Sequence, residues 1–471
     1  MKKKFIQTYL PAPARSALFV LAVVALATLA GCDKQNEWLE EKTNKSAVVP
    51  KTLEDFQALL DNSNQVMNTK FSTSGLVGSD NIYASPTALA SLSEIQRNLY
   101  LWNKDIFTDG YGYEWATLYA VIANANIVLE GLGNLSSSSP EYNNIKGAAY
   151  FFRAYAFYTL AQVYCKPYSA IAESDAGLPL RLTADVNTIY QRSSLADTYK
   201  QIIADATEAA KNLKLTQQYI MRPNRAAANA LIAKASLNKG DYNSALSYAK
   251  LALEDHGDLL DYNSSAINMN SANRFKAYGA DNPEILFYAE TQMYSAVLAY
   301  AANPVEISGE LYGQYKINDL RKDIFYTLNN GPRFVGSYTG RDRTFCGIAT
   351  NEVVLIKAEC EARNGDFQSA QQTINQLLVK RYKTGAYIPV TFDNKDEALS
   401  FVLTERRKEL PMVANIRWED LRRLNLEPQF QKTLTREVNG TLYTLLPNDK
   451  RYVLPIPNEE IILSGITQNE R

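Results

Sequence analysis

Histidine is almost absent: the 471-residue chain has one, His256. That scarcity removes every two-histidine zinc site, and any Ser-His-Asp or Cys-His nucleophile not built on this single ring. His256 lies beside Glu254, Asp255 and Asp258 at an expected helix end, where an imidazole meets terminal carbonyls. Cysteine is scarce too, with four. Setting aside Cys32 for the reason given below leaves Cys165, Cys346 and Cys360, an odd count that argues against a disulfide framework. Cys165 and Cys360 fall in apolar helical patterns and read as buried thiols. The chain lacks a Walker loop, a dinucleotide-type glycine fingerprint and a His-Glu-x-x-His pair. It also lacks a basic run of the kind that tracks a nucleic-acid backbone. Asp393, Asp396 and Glu397 are without the ligand alternation and glycine of an EF-hand loop, and read as an acid-enriched helix N-terminus. No cofactor, metal or nucleic acid is expected.

Long apolar runs are missing except at the start. Lys2, Lys3 and Lys4 precede the apolar stretch Ala17–Ala27, which closes on Leu29-Ala30-Gly31-Cys32. A charged start, a short apolar run and small residues at its end describe a secretory signal peptide. The run falls short of the roughly 20 apolar residues a spanning helix needs. Leu29-Ala30-Gly31-Cys32 matches the bacterial lipobox, so residues 1–31 read as a leader and Cys32 as the lipidated first residue of the mature chain. Several acyl chains on one cysteine hold a protein firmly to a membrane, where one holds it weakly. Loss of the leader takes four basic residues and no acid, moving the formal charge from −1 to −5. Residues 32–50 are polar and read as a tether.

What the chain does have is tyrosine, 30 of them, with 17 phenylalanines and 4 tryptophans. Tyrosine couples a flat apolar face to a polar tip, which suits recognition surfaces, although those at helical spacing line cores. Thr52-Leu53-Glu54-Asp55 is a capping box opening a helix to about residue 61. Residues 62–110 are rich in Ser, Thr, Asn and Gly, too long for an idle loop. From Glu114 helical spacing takes over: Trp115, Leu118, Ile122, Ala125 and Leu129, then, after a break at 131–140, Ile145, Ala149, Phe152 and Leu160. Ser194-Leu195-Ala196-Asp197 opens a further helix, to about Leu213.

Internal repetition is the most informative signal. Ala233–Ala245 aligns with Ala358–Ala370: a helix stopped by glycine, an aspartate and an aromatic in the turn, then a second helix. Alanines where two antiparallel helices cross make the tetratricopeptide pattern, and such units bury their apolar faces only by stacking. Two more divergent helix pairs are therefore inferred at 114–165 and 395–424. The expected fold is mostly α, about four tetratricopeptide-like helix pairs with a large irregular, loop-rich ligand-binding side. Residues 255–350, rich in Asn, Gly and aromatics, read as an insertion packed on that scaffold. The expected order is 51–254, the insertion 255–350, and 351–471.

The chain resembles the SusD/RagB family of outer-membrane nutrient-binding lipoproteins of Bacteroidetes over nearly its whole mature length. Arg153-Ala154-Tyr155-Ala156-Phe157-Tyr158 with Gly177-Leu178-Pro179-Leu180 is similar to the family's N-terminal half, and Asn318-Asp319-Leu320-Arg321 to its Ser-Asp-x-Arg segment. Glu405-Arg406-Arg407-Lys408-Glu409-Leu410 and Arg417-Trp418-Glu419-Asp420-Leu421-Arg422-Arg423 resemble its C-terminal signature, as do Leu454-Pro455-Ile456-Pro457 and Gln468-Asn469. The run Met412–Ile416 and the end at Arg471 depart from the family pattern. The resemblance implies helical units packed against a partner TonB-dependent transporter, with the protein as its lid. It implies an irregular side that captures a glycan or, in some members, a peptide, and an anchor in the outer membrane facing the cell exterior.

Glu405, Arg406, Glu409, Arg417, Asp420 and Arg423 have mixed sign at helical spacing and read as a salt-bridge network between two helices rather than a catalytic cluster. No carboxylate pair is marked out for glycoside hydrolysis, so no catalytic residue is expected. For ligand contact the first choice is Asp80 and Tyr83 with Tyr100, Trp102 and Asn103, beside Tyr111 and Tyr113 in a glycine-rich turn. Aromatic faces stack on sugar rings while Asp and Asn meet hydroxyls. Tyr278, Tyr294 and Tyr300 from the insertion come second. The competing reading makes Tyr100 and Trp102 plugs beneath the first repeat. A tetratricopeptide adaptor binding only proteins, or a peptide-binding member of the same family, is the alternative function.

Overall fold

A computed structural model describes residues 49–108, 112–135, 138–298 and 300–471. The leader 1–31, Cys32, most of the tether and Tyr111 lie outside the described residues. Thr52–Arg471 forms one compact unit.

The first helix, α1 (Leu53–Leu60), begins on the expected capping box: Thr52 accepts from the Asp55 amide, and Asp55 accepts from that of Thr52. The scaffold follows as α2 (Tyr113–Gly133), α3 (Pro140–Tyr164), α4 (Leu195–Asn212), α5 (Arg225–Lys239), α6 (Tyr242–Asp255), α7 (Thr350–Arg363) and α8 (Phe367–Leu378). Each packs on the next, α6 meeting α7 across the insertion, so the array is continuous in space though interrupted in sequence. By length and composition α2 could cross a membrane, yet Trp115, Leu118 and Ile122 are buried along it, and it packs on α3. The repeat turns match the alignment. Gly240 (φ 76°) and Gly365 (φ 88°) take the left-handed conformation that ends a helix, and Asp241 and Asp366 cap the helices that follow.

The pair expected at 395–424 departs from that plan. Helix α9 (Lys395–Glu409) packs on α7 and α8, and Asn394 caps it with Asp396 and Glu397 in its first turn. Helix α10 (Ile416–Leu424) instead lies on the short helix Ser74–Gly78. A β-carbon at Gly75 would stand 2.7 Å from Trp418, so a larger residue there would lift α10 away.

The insertion is ordered by short antiparallel ladders, Ile285–Phe287 with Ile348–Ala349 and Tyr326–Leu328 with Pro332–Phe334. Phe287 enters the main core between Phe151 (ring centroids 4.8 Å) and Phe152 (5.6 Å). The helical and irregular sides thus share one hydrophobic core. His256 ends α6, with its Nε2 2.6 Å from the carbonyl of Pro283 in the insertion. Cys165, Cys346 and Cys360 are buried free thiols.

The network expected between the C-terminal helices is present and wider than two helices. Asp420 pairs with Arg406 (3.0 Å) and Arg423 (2.8 Å), and Arg423 reaches Glu359 of α7 (2.8 Å). Glu405 and Glu409 meet Arg321 (2.7 and 3.1 Å), which also holds Asp319 (2.7 Å). Arg381 joins Glu409 (2.8 Å) to Glu284 (2.6 Å). These charges are buried, so each is tolerated because partners surround it.

Candidate functional site

Four of the expected ligand residues, Asp80, Tyr83, Tyr100 and Trp102, line one cleft of about 570 Å³, within the ~300–1,000 Å³ range of small-molecule sites. The two-residue strand Ile82–Tyr83 pairs with Glu306–Ile307, which fixes Tyr83 at the rim with its side chain outward and 47% of the residue exposed. Beyond Ile307 the chain turns through Ser308 into a short helix that brings Glu310 to the cleft lining.

The remaining wall is a hairpin, β1 (Leu434–Val438) and β2 (Thr441–Leu445), closed by Asn439 (φ 48°) and Gly440 (φ 79°). That Asn-Gly pair suits the two-residue turn whose twist matches its strands. Alternation along β1 buries Leu434 and Arg436 and turns Thr435 and Glu437 to solvent. The sequence reading missed this hairpin, and with it Lys432, Thr433, Thr435, Arg436 and Glu437 in the cleft wall. The legible signal was Asn439-Gly440 between alternating residues.

Asp80 is committed to ion pairs. Arg417 holds it with two hydrogen bonds (2.7 and 2.9 Å), Lys432 lies at 2.9 Å and Arg407 at 3.1 Å. Burial alone would raise the Asp80 carboxyl, but Arg417, then Arg407 and Lys432, hold it well below the usual carboxylate range. Glu310 is likewise pushed down, with Lys432 at 2.7 Å and Arg407 at 2.6 Å outweighing its desolvation. The expectation that Asp80 meets ligand hydroxyls is corrected: its oxygens are taken up in holding α9 and α10 to the N-terminal segment.

Tyr100 and Trp102 also differ from the stacking role. Trp102 is 2% exposed, packs in a small core with Trp418, Leu434 and Tyr452, and donates from Nε1 to the Gly78 carbonyl (2.8 Å). The Tyr100 hydroxyl accepts from the Ala84 amide (2.8 Å). Arg436 covers both rings, its guanidinium carbon 3.5 Å from the Tyr100 centroid and 4.3 Å from that of Trp102. Its Nη2 donates to the Ser79 carbonyl (2.6 Å), and burial pushes the guanidinium down to about 10. Both rings are packed side chains in the cleft wall, and Trp102 rests against Trp418 of α10 and the hairpin rather than beneath the first repeat.

Among the described residues, the other expected contacts do not line this cleft. Asn103 donates to the Asn98 side chain (2.8 Å). Tyr113 opens α2 with its ring exposed. Tyr300 is buried, its hydroxyl 2.7 Å from Thr344 Oγ1, which corrects its assignment to a ligand surface. Tyr278 (φ 58°) and Tyr294 (φ 57°) both take left-handed backbone, rare for an aromatic. Tyr278 is 49% exposed, and the Arg341 guanidinium lies 4.4 Å from its ring centroid.

Fold and cleft together define a class: a stacked-helix protein presenting a polar, partly aromatic cleft among its irregular loops. The chain belongs to the SusD family. A family model described as starch-binding, associating with the outer membrane, matches residues 37–237, and the SusD family model matches 290–470. SusD-like protein P2 of Formosa agariphila is 23% identical over 419 residues, covering 74% of this chain and 77% of the relative. SusD-like protein P38 of the same organism is 22% identical over 384 residues, covering 66% and 72%. Among solved structures, a SusD superfamily protein of Bacteroides thetaiotaomicron superposes with a TM-score of 0.72 at 21% identity, over 89% of this chain and all of its own. A structure called a putative sugar binding protein, from Bacteroides vulgatus, gives 0.71 at 22%, over 90% and 99%. At these identities the likeness shows the fold.

Proposed function

We propose that this chain is a cell-surface lipoprotein that binds an oligosaccharide and delivers it, without chemical change, to a TonB-dependent outer-membrane transporter. The observation that carries the reading is the exposed Tyr83 ring over a cleft whose walls offer Glu437 as acceptor and the hydroxyls of Thr433 and Thr435. A sugar presents an apolar ring face with hydroxyls that both donate and accept, and each hydroxyl left unpaired on burial costs about 1–3 kcal/mol. Binding rather than hydrolysis is supported by Asp80 and Glu310. Glycoside hydrolysis needs one carboxyl raised to act as acid, and both are pushed the other way. The family membership and the lipobox at Cys32 support an anchor in the outer membrane, facing out.

Titration against a panel of soluble oligosaccharides tests the cleft. Tyr83→Ala is expected to weaken the best ligand at least about tenfold with the fold intact, and unchanged affinity would remove the cleft from the assignment. Gentle detergent extraction should co-purify a partner of large β-barrel size. A chain that binds no sugar, and loses a protein partner through changes on α4–α8, would instead be an adaptor.

A further inference from the structure

The hairpin that walls the cleft is two-stranded, so β1 and β2 each keep an edge outside their shared ladder. Antiparallel pairs alternate between residues that bond each other through both backbone groups and residues whose groups point away. Val438 and Thr441 flank the turn and bond each other as the first and fourth residues of a turn do. Counted back from that pair, Arg436 with Tyr443 and Leu434 with Leu445 are bonded pairs too. Thr435 opposite Thr444, and Glu437 opposite Leu442, therefore turn their N–H and C=O groups to the outer edges. One contact fixes this phase independently: the Thr444 carbonyl accepts from Arg451 Nη2 (2.7 Å), so it faces outward from β2. Among the described residues, no backbone group outside the hairpin bonds to that of Thr435 or Glu437.

The open edge of β1 faces the cleft. Successive side chains of a strand point to opposite faces, yet every residue from Lys432 to Glu437 lines the cleft, buried Leu434 and Arg436 included. None of Thr441–Leu445 does. A cavity that touches both faces of one strand and nothing of its neighbour runs along the outer edge of that strand. Thr435 and Glu437 stand two residues apart, about 7 Å, each with one backbone donor and one acceptor. The cation beside them is already matched, since Lys432 lies 2.9 Å from Asp80 and 2.7 Å from Glu310. Recognition along the edge thus rests on uncharged amides, whose donors and acceptors suit hydroxyls. Two outward residues make too short a ladder for an added peptide strand, which draws its affinity from repeated main-chain bonds.

Resting on the glycan reading of the cleft, we propose that the open edge of β1 is what reads the ligand. The ligand is a neutral, linear oligosaccharide whose hydroxyls pair with the backbone groups of Thr435 and Glu437 while Tyr83 takes a ring face. Residue-resolved hydrogen exchange on the detergent-solubilised full chain tests this with maltohexaose, cellohexaose, laminarihexaose and an alanine hexapeptide. A hexasaccharide that saturates should slow exchange at the Thr435 and Glu437 amides at least about tenfold, and by less at the ladder amides of Leu434 and Arg436. Saturation with unchanged exchange at Thr435 and Glu437 overturns the edge contact and leaves the glycan reading standing. A panel in which no sugar saturates at millimolar concentration removes both. Protection by the peptide and by no sugar would make the edge a strand acceptor and overturn the proposal. Thr435→Pro removes an outward N–H that the ladder does not use, a change that strand edges tolerate. It should weaken the best sugar about tenfold, with exchange at Leu434 and Arg436 reporting that the hairpin is intact. Thr435→Val keeps the amide, drops only the hydroxyl and should cost less. Equal losses in the two variants would place the contact on the hydroxyl and overturn the edge.

Discussion

Asp80 shows how far a residue's type can mislead about its role. A carboxylate beside aromatics has the makings of a sugar contact, but its geometry makes it the fixed point of Arg417, Arg407 and Lys432. Removing one side of a buried pair leaves the other charge stranded, so Asp80→Ala should cost roughly 3–5 kcal/mol in chemical denaturation; a loss below 1 kcal/mol would mean solvent already screens the pair. Trp102→Ala should likewise cost about 3–5 kcal/mol, because it empties a packed core site, and a variant of parental stability would return the ring to the ligand-contact list. Glu359 gives the acid limb. Burial raises it, but the Arg423 and Arg363 guanidiniums more than offset this and bring the carboxyl from 4.5 to about 2. A depressed carboxyl contributes stability above its unfolded value and loses it as pH falls from about 4.5 through about 2. Glu359→Gln should therefore flatten the pH dependence of urea stability in that window, while an identical slope would place the acid sensitivity elsewhere.

At the scale of elements, the repeats and their turns were legible because they rest on local rules: a glycine where the helix must stop, an aspartate to cap the next, alanines where helices cross. The capping box at Thr52 and the acid-rich start of α9 were legible for the same reason. The helices of 395–424 read as another pair, yet the seat of α10 depends on Gly75 and Gly78, more than 300 residues earlier, and no local pattern announces that. The neighbouring placement of Tyr83, Tyr100 and Trp102 could be read. Which ring stays open could not, because Arg436 arrives from a distant hairpin to cover two of them. Gly440→Val puts a β-branched residue at φ 79°. It should loosen the hairpin by ~1–2 kcal/mol and lower glycan affinity through Arg436 and Lys432, with hydrogen exchange across Leu434–Leu445 as the readout. Protection equal to the parent's would show that packing, not the turn, sets the hairpin.

At the scale of the whole molecule, the scaffold and the loops are not separable parts. Phe287 sits among rings of α3, and Arg381 ties the insertion at Glu284 to α9 at Glu409. Unfolding followed by tyrosine fluorescence and by far-UV circular dichroism should therefore give coincident transitions, whereas a separate early fluorescence change would show the loop side melting alone. The order of synthesis carries the last consequence. Asp80 meets Arg417 across 337 residues of chain, and Trp102 rests beneath Arg436, so the wall and floor of the first cleft wait for the final sixty residues to be made. Contacts so distant in sequence form late. Until the tail arrives the early segments lack these partners for their charges and rings, so the first cleft takes shape only once the chain is complete.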